Sequence, residues 1–294
     1  MKVFMIANPK SGKGAAHRVV PKVREFFSKN HVDIDVYITK KVGDAIGAAK
    51  KAARSGKYDV IIASGGDGTL NEVINGIMLS GRNKEQKFGI IPLGTENVLA
   101  QEKSIPFNAI KAAKLIILRK TTKIDIGKAG KRYFFLMAGV GFDAHVATKV
   151  KPLLKRIVGS VAYPLAAWGE LFRYKHSDIT IKIDGKKTSK GSFVVIGNTK
   201  LYGGKLRMTP HADMHDGLLD VCLFKGKDIF SFLRYAAGTL TAQHIRFSDI
   251  EYYKAKTISV SAKPRALCHV DCEILGNTPI KVKVCPNAIN LIVK

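Results

Sequence analysis

Three loops rich in glycine and hydroxyls, each directly after a short apolar run, constrain this chain more than any other feature. They are "ANPKSGKG" (7–14), "ASGGDGTLNEV" (63–73) and "PLGTENVLA" (92–100). The runs "KVFMIA" (2–7), "YDVIIAS" (58–64) and "FGIIPL" (88–93) read as strands, as does "DIDVYI" (33–38). Val19, Val20, Val23, Phe26 and Phe27 recur at helical spacing. "GDAIGAAKKAARSG" (43–56), "TLNEVINGIML" (69–79) and "FNAIKAAKLIILRK" (107–120) also read as helices. Strands separated by single helices predict a parallel sheet with right-handed crossovers. Loops at the carboxyl ends of such strands converge on one sheet edge, where ligands bind.

After "TTKIDIGKA" (121–129), itself a strand, the pattern changes to alternating and β-branched segments with turns between. The fold class expected is α/β: a parallel-sheet domain over 1–127, then a β-sandwich domain over 128–294. Two helical segments, near 150–175 and 228–242, interrupt the second half.

The loops suit phosphate. Glycine lets the backbone approach an anion, and a helix start offers amides at the positive end of its dipole. In the second loop the amides of Thr69 to Asn71 are expected to point at the anion. The pattern is neither the P-loop nor the dinucleotide fingerprint. For one such loop a plain turn is the lesser alternative; three at one edge predict a polyphosphate site. Glu96 is the odd residue, a carboxylate inside the third loop, and it is expected to open the following helix.

Charge narrows the partners. Lys and Arg total 49 against 23 Asp and Glu, a net +26 spread over both halves. Nucleic acid, an anionic membrane surface and phosphorylated small molecules all fit. No nucleic-acid module or basic recognition helix is present, so nucleic acid is not expected. No run reaches the ~18–20 apolar residues of a spanning helix, and the amino-terminal stretch "MKVFMIANPK" does not read as a secretory signal. A cytoplasmic protein with peripheral membrane association is expected. Segment 150–175 mixes Trp168 and aliphatics with Lys151, Lys155, Arg156, Arg173 and Lys175, suited to a membrane interface or to core packing with a basic rim. "CHVDC" (268–272) lacks a second ligand pair for zinc. Read as one strand, it places Cys268 and Cys272 ~13 Å apart, too far for a disulfide.

"NPKSG", "GGDGTLNEV" and "PLGT-x-N-x-x-A" together resemble the diacylglycerol kinase and sphingosine kinase catalytic-domain family. "KIDIGK" (123–128), "AGVGFDAHV" (138–146), "NTKLYGG" (198–204), "PHADMHDGLLDV" (210–221) and "HVDCE" (269–273) are similar to its later landmarks, in order. The resemblance implies a nucleotide-binding domain similar to that of NAD kinases, a β-sandwich domain, and ATP in the cleft between them. It implies nucleotide contacts from Asn8, Pro9, Lys10, Ser11, Gly12 and Thr39, from Gly65, Gly66, Asp67, Gly68, Thr69, Leu70, Asn71 and Glu72, and from Thr95. It also implies a Mg2+ site at Asp216 with the carbonyls of Asp213 and Leu218, and Glu273 as general base.

Read as one strand, Asp271 and Glu273 point to the same face, pairing Asp271 with the base. The family usually has Gly where this chain has Cys272, tolerable unless that position needs a positive φ; many bacterial members have Asp where it has Val98, and the alternative reading of Glu96 is that it returns this carboxylate to the Mg2+ shell. The function implied is ATP- and Mg2+-dependent phosphorylation of a lipid alcohol at a membrane surface. An NAD kinase-like enzyme of a soluble nucleotide and a catalytically weakened regulator stay open, as does a homodimer.

Overall fold

The computed structural model describes residues 1–149, 176–202 and 206–294. The expected basic helix at 150–175 and the end of "NTKLYGG" lie outside them. The chain divides into two compact units, Met1–Ile124 with Asn287–Lys294, and Asp125–Pro286.

The first unit holds a parallel sheet. Strands β1 (Lys2–Ala7), β2 (Asp33–Ile38), β3 (Val60–Gly65) and β4 (Lys87–Pro92) lie in the order β2-β1-β3-β4. All six residues of β3 are buried, as expected of a central parallel strand covered on both faces, whereas the edge strand β2 has none buried. Helices α1 (Ala16–Lys29), α2 (Asp44–Ser55), α3 (Asp67–Met78), α4 (Val98–Glu102) and α5 (Ala109–Leu118) follow their strands. Helices α2 and α3 cross closely because Gly76 has no side chain: a Cβ there would lie 2.5 Å from the Ile46 carbonyl oxygen. Gly56 stops α2 at φ +64, as its position after the alanine-rich run predicted.

The last strand departs from expectation. β16 (Ile280–Ile292) pairs antiparallel with β13 (Thr257–Lys263) through Ile280–Lys283 and parallel with β4 through Asn290 and Leu291. Its end therefore belongs to the first unit, so the break at 127/128 does not describe the observed division.

The second unit is an antiparallel β-sandwich. One sheet has the order β12 (Ile250–Ala255), β11 (Leu219–Phe224), β10 (Phe193–Gly197), β7 (Met137–Val140), β14 (Leu267–Val270), β15 (Glu273–Asn277). The other contains β13, β8 (Asp178–Ile183) and β9 (Lys187–Gly191) with the early part of β16, while β6 (Arg132–Phe134) pairs with β5 (Thr121–Ala129). Helix α6 (Phe142–Lys149) follows β7, and α7 (Ile229–Thr241), capped by the Asp228 carboxylate, packs on an aromatic core where Phe193 stacks on Phe224 at 4.1 Å.

Candidate active site

Because β1, β3 and β4 are parallel neighbours, the three loops leave the sheet at one edge and touch. The Asn8 amide donates to the Ser64 carbonyl (3.0 Å), and its side-chain nitrogen donates to Thr69 Oγ1 (3.2 Å). Gly12 sits at φ +59, and a Cβ there would lie 2.4 Å from the Leu93 carbonyl oxygen. The Gly65 carbonyl accepts the amides of Leu93 (2.9 Å) and Gly94 (3.2 Å). A Cβ on Gly94 would lie 2.4 Å from the Gly66 Cα. Asn97, buried at φ +46, closes the third loop with two hydrogen bonds to the Gly94 backbone. Its place inside the third motif marks the loop without announcing this closing role.

Helix α3 begins at Asp67, two residues before the predicted start. The Leu70 amide makes the first intrahelical bond, to the Gly66 carbonyl at 3.1 Å. The amides with no acceptor inside the helix are therefore earlier, at Gly68 and Thr69, and not at Leu70 and Asn71. The side chains of Leu70 and Asn71 are fully buried, and Asn75 donates to Asn71. Glu72 turns away from the loops: its two oxygens accept the amides of Gly43 (2.9 Å) and Ala45 (3.1 Å) at the start of α2. A carboxylate suits that positive helix end. The Thr39 amide, just past β2, donates to the Ala7 carbonyl (3.0 Å). Lys10, Gly68 and Thr95 are exposed; Pro9, Ser11, Gly66 and Asp67 are half-buried. Glu96 precedes Asn97, the N-cap of α4, so it lies just outside that helix, and Val98 is buried.

In the second unit the single-strand reading of 268–273 fails. Val270 pairs with Glu273 across a hairpin whose turn residues are Asp271 (φ +45) and Cys272 (φ +67). Two positive φ angles match the twist of a two-residue hairpin. Asp271 and Glu273 are thus not two positions along one strand. The Asp271 carboxylate accepts three amides, of Phe135, Leu136 and Met137, each at 3.0 Å, which makes it the anchor of the turn. Glu273, its side chain 33% exposed, forms an ion pair with Arg132 on β6. The ~13 Å separation of Cys268 and Cys272 also lapses, because the chain reverses between them. Both are free thiols, and burial pushes Cys268 up to about 12.

Cys272 occupies a conformation that glycine adopts without strain. Cys272→Gly is expected to raise stability by up to about 1 kcal/mol, since the left-handed cost of an L-residue outweighs the added chain entropy. Urea denaturation checks this; a lower midpoint at unchanged slope contradicts it.

The loop 213–218 is braced from below by buried Asp125, which accepts the Gly217 amide (2.7 Å) and donates its own amide to the Met214 carbonyl (2.7 Å). Asp216 accepts the Leu218 amide on one oxygen (3.0 Å) and the Lys254 ammonium on the other (2.6 Å). That bond holds the Lys254 pKa above its ordinary value. Among the described residues no group of three or more His, Cys, Asp or Glu is placed to hold a metal. The donors here are instead one carboxylate and loop carbonyls, oxygen ligands that suit a hard, partly hydrated cation. In this structure the Lys254 ammonium neutralises that carboxylate.

The first unit thus gathers three glycine-rich loops at one edge of a parallel sheet, and the second is an antiparallel sandwich that carries the Asp271–Cys272 hairpin. The diacylglycerol kinase catalytic domain matches residues 2–129, and the YegS C-terminal NAD kinase beta sandwich-like domain matches residues 137–293. A diacylglycerol kinase of Staphylococcus epidermidis is 33% identical over 276 residues, covering 94% of this chain and 86% of that protein. One from Staphylococcus carnosus is 31% identical, covering 94% and 89%. The crystal structure of a diacylglycerol kinase from Bacillus anthracis str. Sterne aligns with a TM-score of 0.78 at 26% identity, over 100% of this chain and 97% of that one. The chain belongs to the diacylglycerol kinase family, and it is a lipid kinase.

Proposed function

We infer that this kinase transfers the γ-phosphoryl group of ATP to the hydroxyl of diacylglycerol or a related lipid, with Mg2+ present. The observation that carries the reading is the cradle of the first unit, where the amides of Gly68 and Thr69 lie in one cluster with the Asn8 and Gly94 loops. Such a cluster binds polyphosphate through backbone N–H groups and the helix dipole. Lys10 adds charge, Ser11 and Thr95 add hydroxyls, and Gly12, Gly65 and Gly66 let the loops approach. Leu70, Asn71 and Glu72 serve by fixing α3. Glu273 takes the proton of the acceptor hydroxyl as that oxygen bonds to the γ-phosphorus and ADP leaves. Mg2+, when bound, screens the phosphate charge; Asp216 and the carbonyls of Asp213 and Leu218 are residues that would hold such a cation. Radiolabelled ATP supplied with a total lipid extract, with diacylglycerol and with NAD tests the acceptor. Label in lipid supports the reading; label in NAD alone replaces it with a soluble-nucleotide kinase.

The acceptor's chemistry calls for a peripheral enzyme on the cytoplasmic side of a membrane. Among the described residues no helix is long and apolar enough to cross one. Support comes from α7, where Phe230 (78% exposed), Leu233 and Leu240 (59%) share the face opposite buried Phe232, Tyr235 and Thr239. Arg246 follows the helix, while Arg234 is paired with Asp249. Liposome binding is expected to rise with anionic lipid, fall with salt, and drop about tenfold in Phe230→Ser/Leu240→Ser through lost apolar burial. Binding indifferent to both lipid charge and salt removes the membrane reading.

A further inference from the structure

His269 on β14 is wholly buried, and among the described residues its imidazole meets one side chain and one backbone amide. Its Nδ1 lies 3.2 Å from the Cys272 amide nitrogen. An amide N–H can only donate, so Nδ1 is an acceptor and the ring proton is on Nε2. Nε2 lies 2.6 Å from Asp143 Oδ2 on α6, and the other Asp143 oxygen accepts the Tyr202 hydroxyl at 2.8 Å. Gly139 makes room for the pair: a Cβ there would lie 2.1 Å from Asp143 Oδ2 and 2.3 Å from His269 Nε2. The ring is therefore aimed from behind by a fixed carboxylate.

Its target is a strained turn. Asp271 and Cys272 both hold positive φ without being glycine, a conformation that persists only when its surroundings determine it. Contacts that do so include the Asp271 amide on the Met137 carbonyl (2.9 Å), the Asp271 carboxylate on the amides of 135–137, and the His269 imidazole on the Cys272 amide. Glu273 is the next residue, with its own direction set by that turn.

We propose that His269 is a positioning residue for phosphoryl transfer, with Asp143 and Tyr202 orienting its ring and Nδ1 fixing the turn that aims Glu273. This rests on the reading of Glu273 as general base. A core histidine merely filling space predicts the same burial but no preference for which nitrogen is kept. Asparagine places an acceptor near the Nδ1 position; glutamine places a donor near the Nε2 position. His269→Asn is expected to keep kcat within about threefold, whereas His269→Gln loses about 10²-fold with KM for ATP unchanged, as for a displaced reacting group. Nitrogen-15 NMR of the intact enzyme is expected to find His269 as the Nε2–H tautomer. An Nδ1–H tautomer overturns the proposal, as do equal losses in both variants that track thermal stability. The two readings fail separately: turnover retained in Glu273→Ala removes the base, while an inactive Glu273→Ala with equal His269 variants removes the positioning role.

Discussion

Glu273→Ala is expected to lower kcat for lipid phosphorylation by about 10³-fold, within the range ascribed to a positioned general base. ATP affinity stays close to that of the parent, because the proposed phosphate contacts all belong to the other unit. Stability is a fair control here. The Glu273–Arg132 pair is about one-third exposed at both ends, and such pairs contribute roughly 0–1 kcal/mol. An inactive variant with a near-parental melting temperature and unchanged ATP titration therefore isolates a chemical role. Glu273→Gln, which keeps shape and loses basicity, is expected to match it. Turnover within a few-fold of the parent in both variants would remove Glu273 from the mechanism.

The second large effect is expected at Gly94. Its Cβ would meet backbone on one side, Gly66 Cα at 2.4 Å, and Asn97 Oδ1 at 2.9 Å. Neither strand end can retreat, since the Gly65 carbonyl already holds the Leu93 and Gly94 amides. Gly94→Ala is expected to cost about 1–3 kcal/mol by overpacking and to abolish measurable ATP binding by prising the loops apart. Gly68→Ala is the companion experiment. A Cβ at Gly68 meets nothing within 4 Å, and alanine favours the helix, so stability holds or rises. Reduced ATP affinity in that stable variant locates the ligand over the helix start. Parental stability and ATP binding in Gly94→Ala would contradict the cradle.

What the sequence conveyed depended on whether the governing contact was local. The alternation of strand and helix through residue 129 is a local pattern, and all four early strands stand within two residues of their expected places at each end. The start of α3 was misplaced because its N-cap is Gly66, which offers no side-chain cap to read. The hairpin at Asp271 was hidden by Cys272, a residue more at home in a strand than at positive φ. The resemblance had pointed at that position, since the family usually has glycine there. The roles of Glu72 on α2, Asp125 under the 213–218 loop and Asp143 behind His269 all span long sequence separations. Nothing near those residues in the chain announces the partner.

The return of β16 to the first sheet bears on how the protein is made. The strand that lies beside β4 is translated after every residue of the second unit, which is one continuous stretch. Domains generally fold as units in the order they emerge from the ribosome. Here the amino-terminal unit emerges first with β4 paired on one side only, by β3, while the sandwich can close before β16 covers the other side. Protease sensitivity of arrested nascent chains is therefore expected to persist in the amino-terminal unit after the later unit has become resistant.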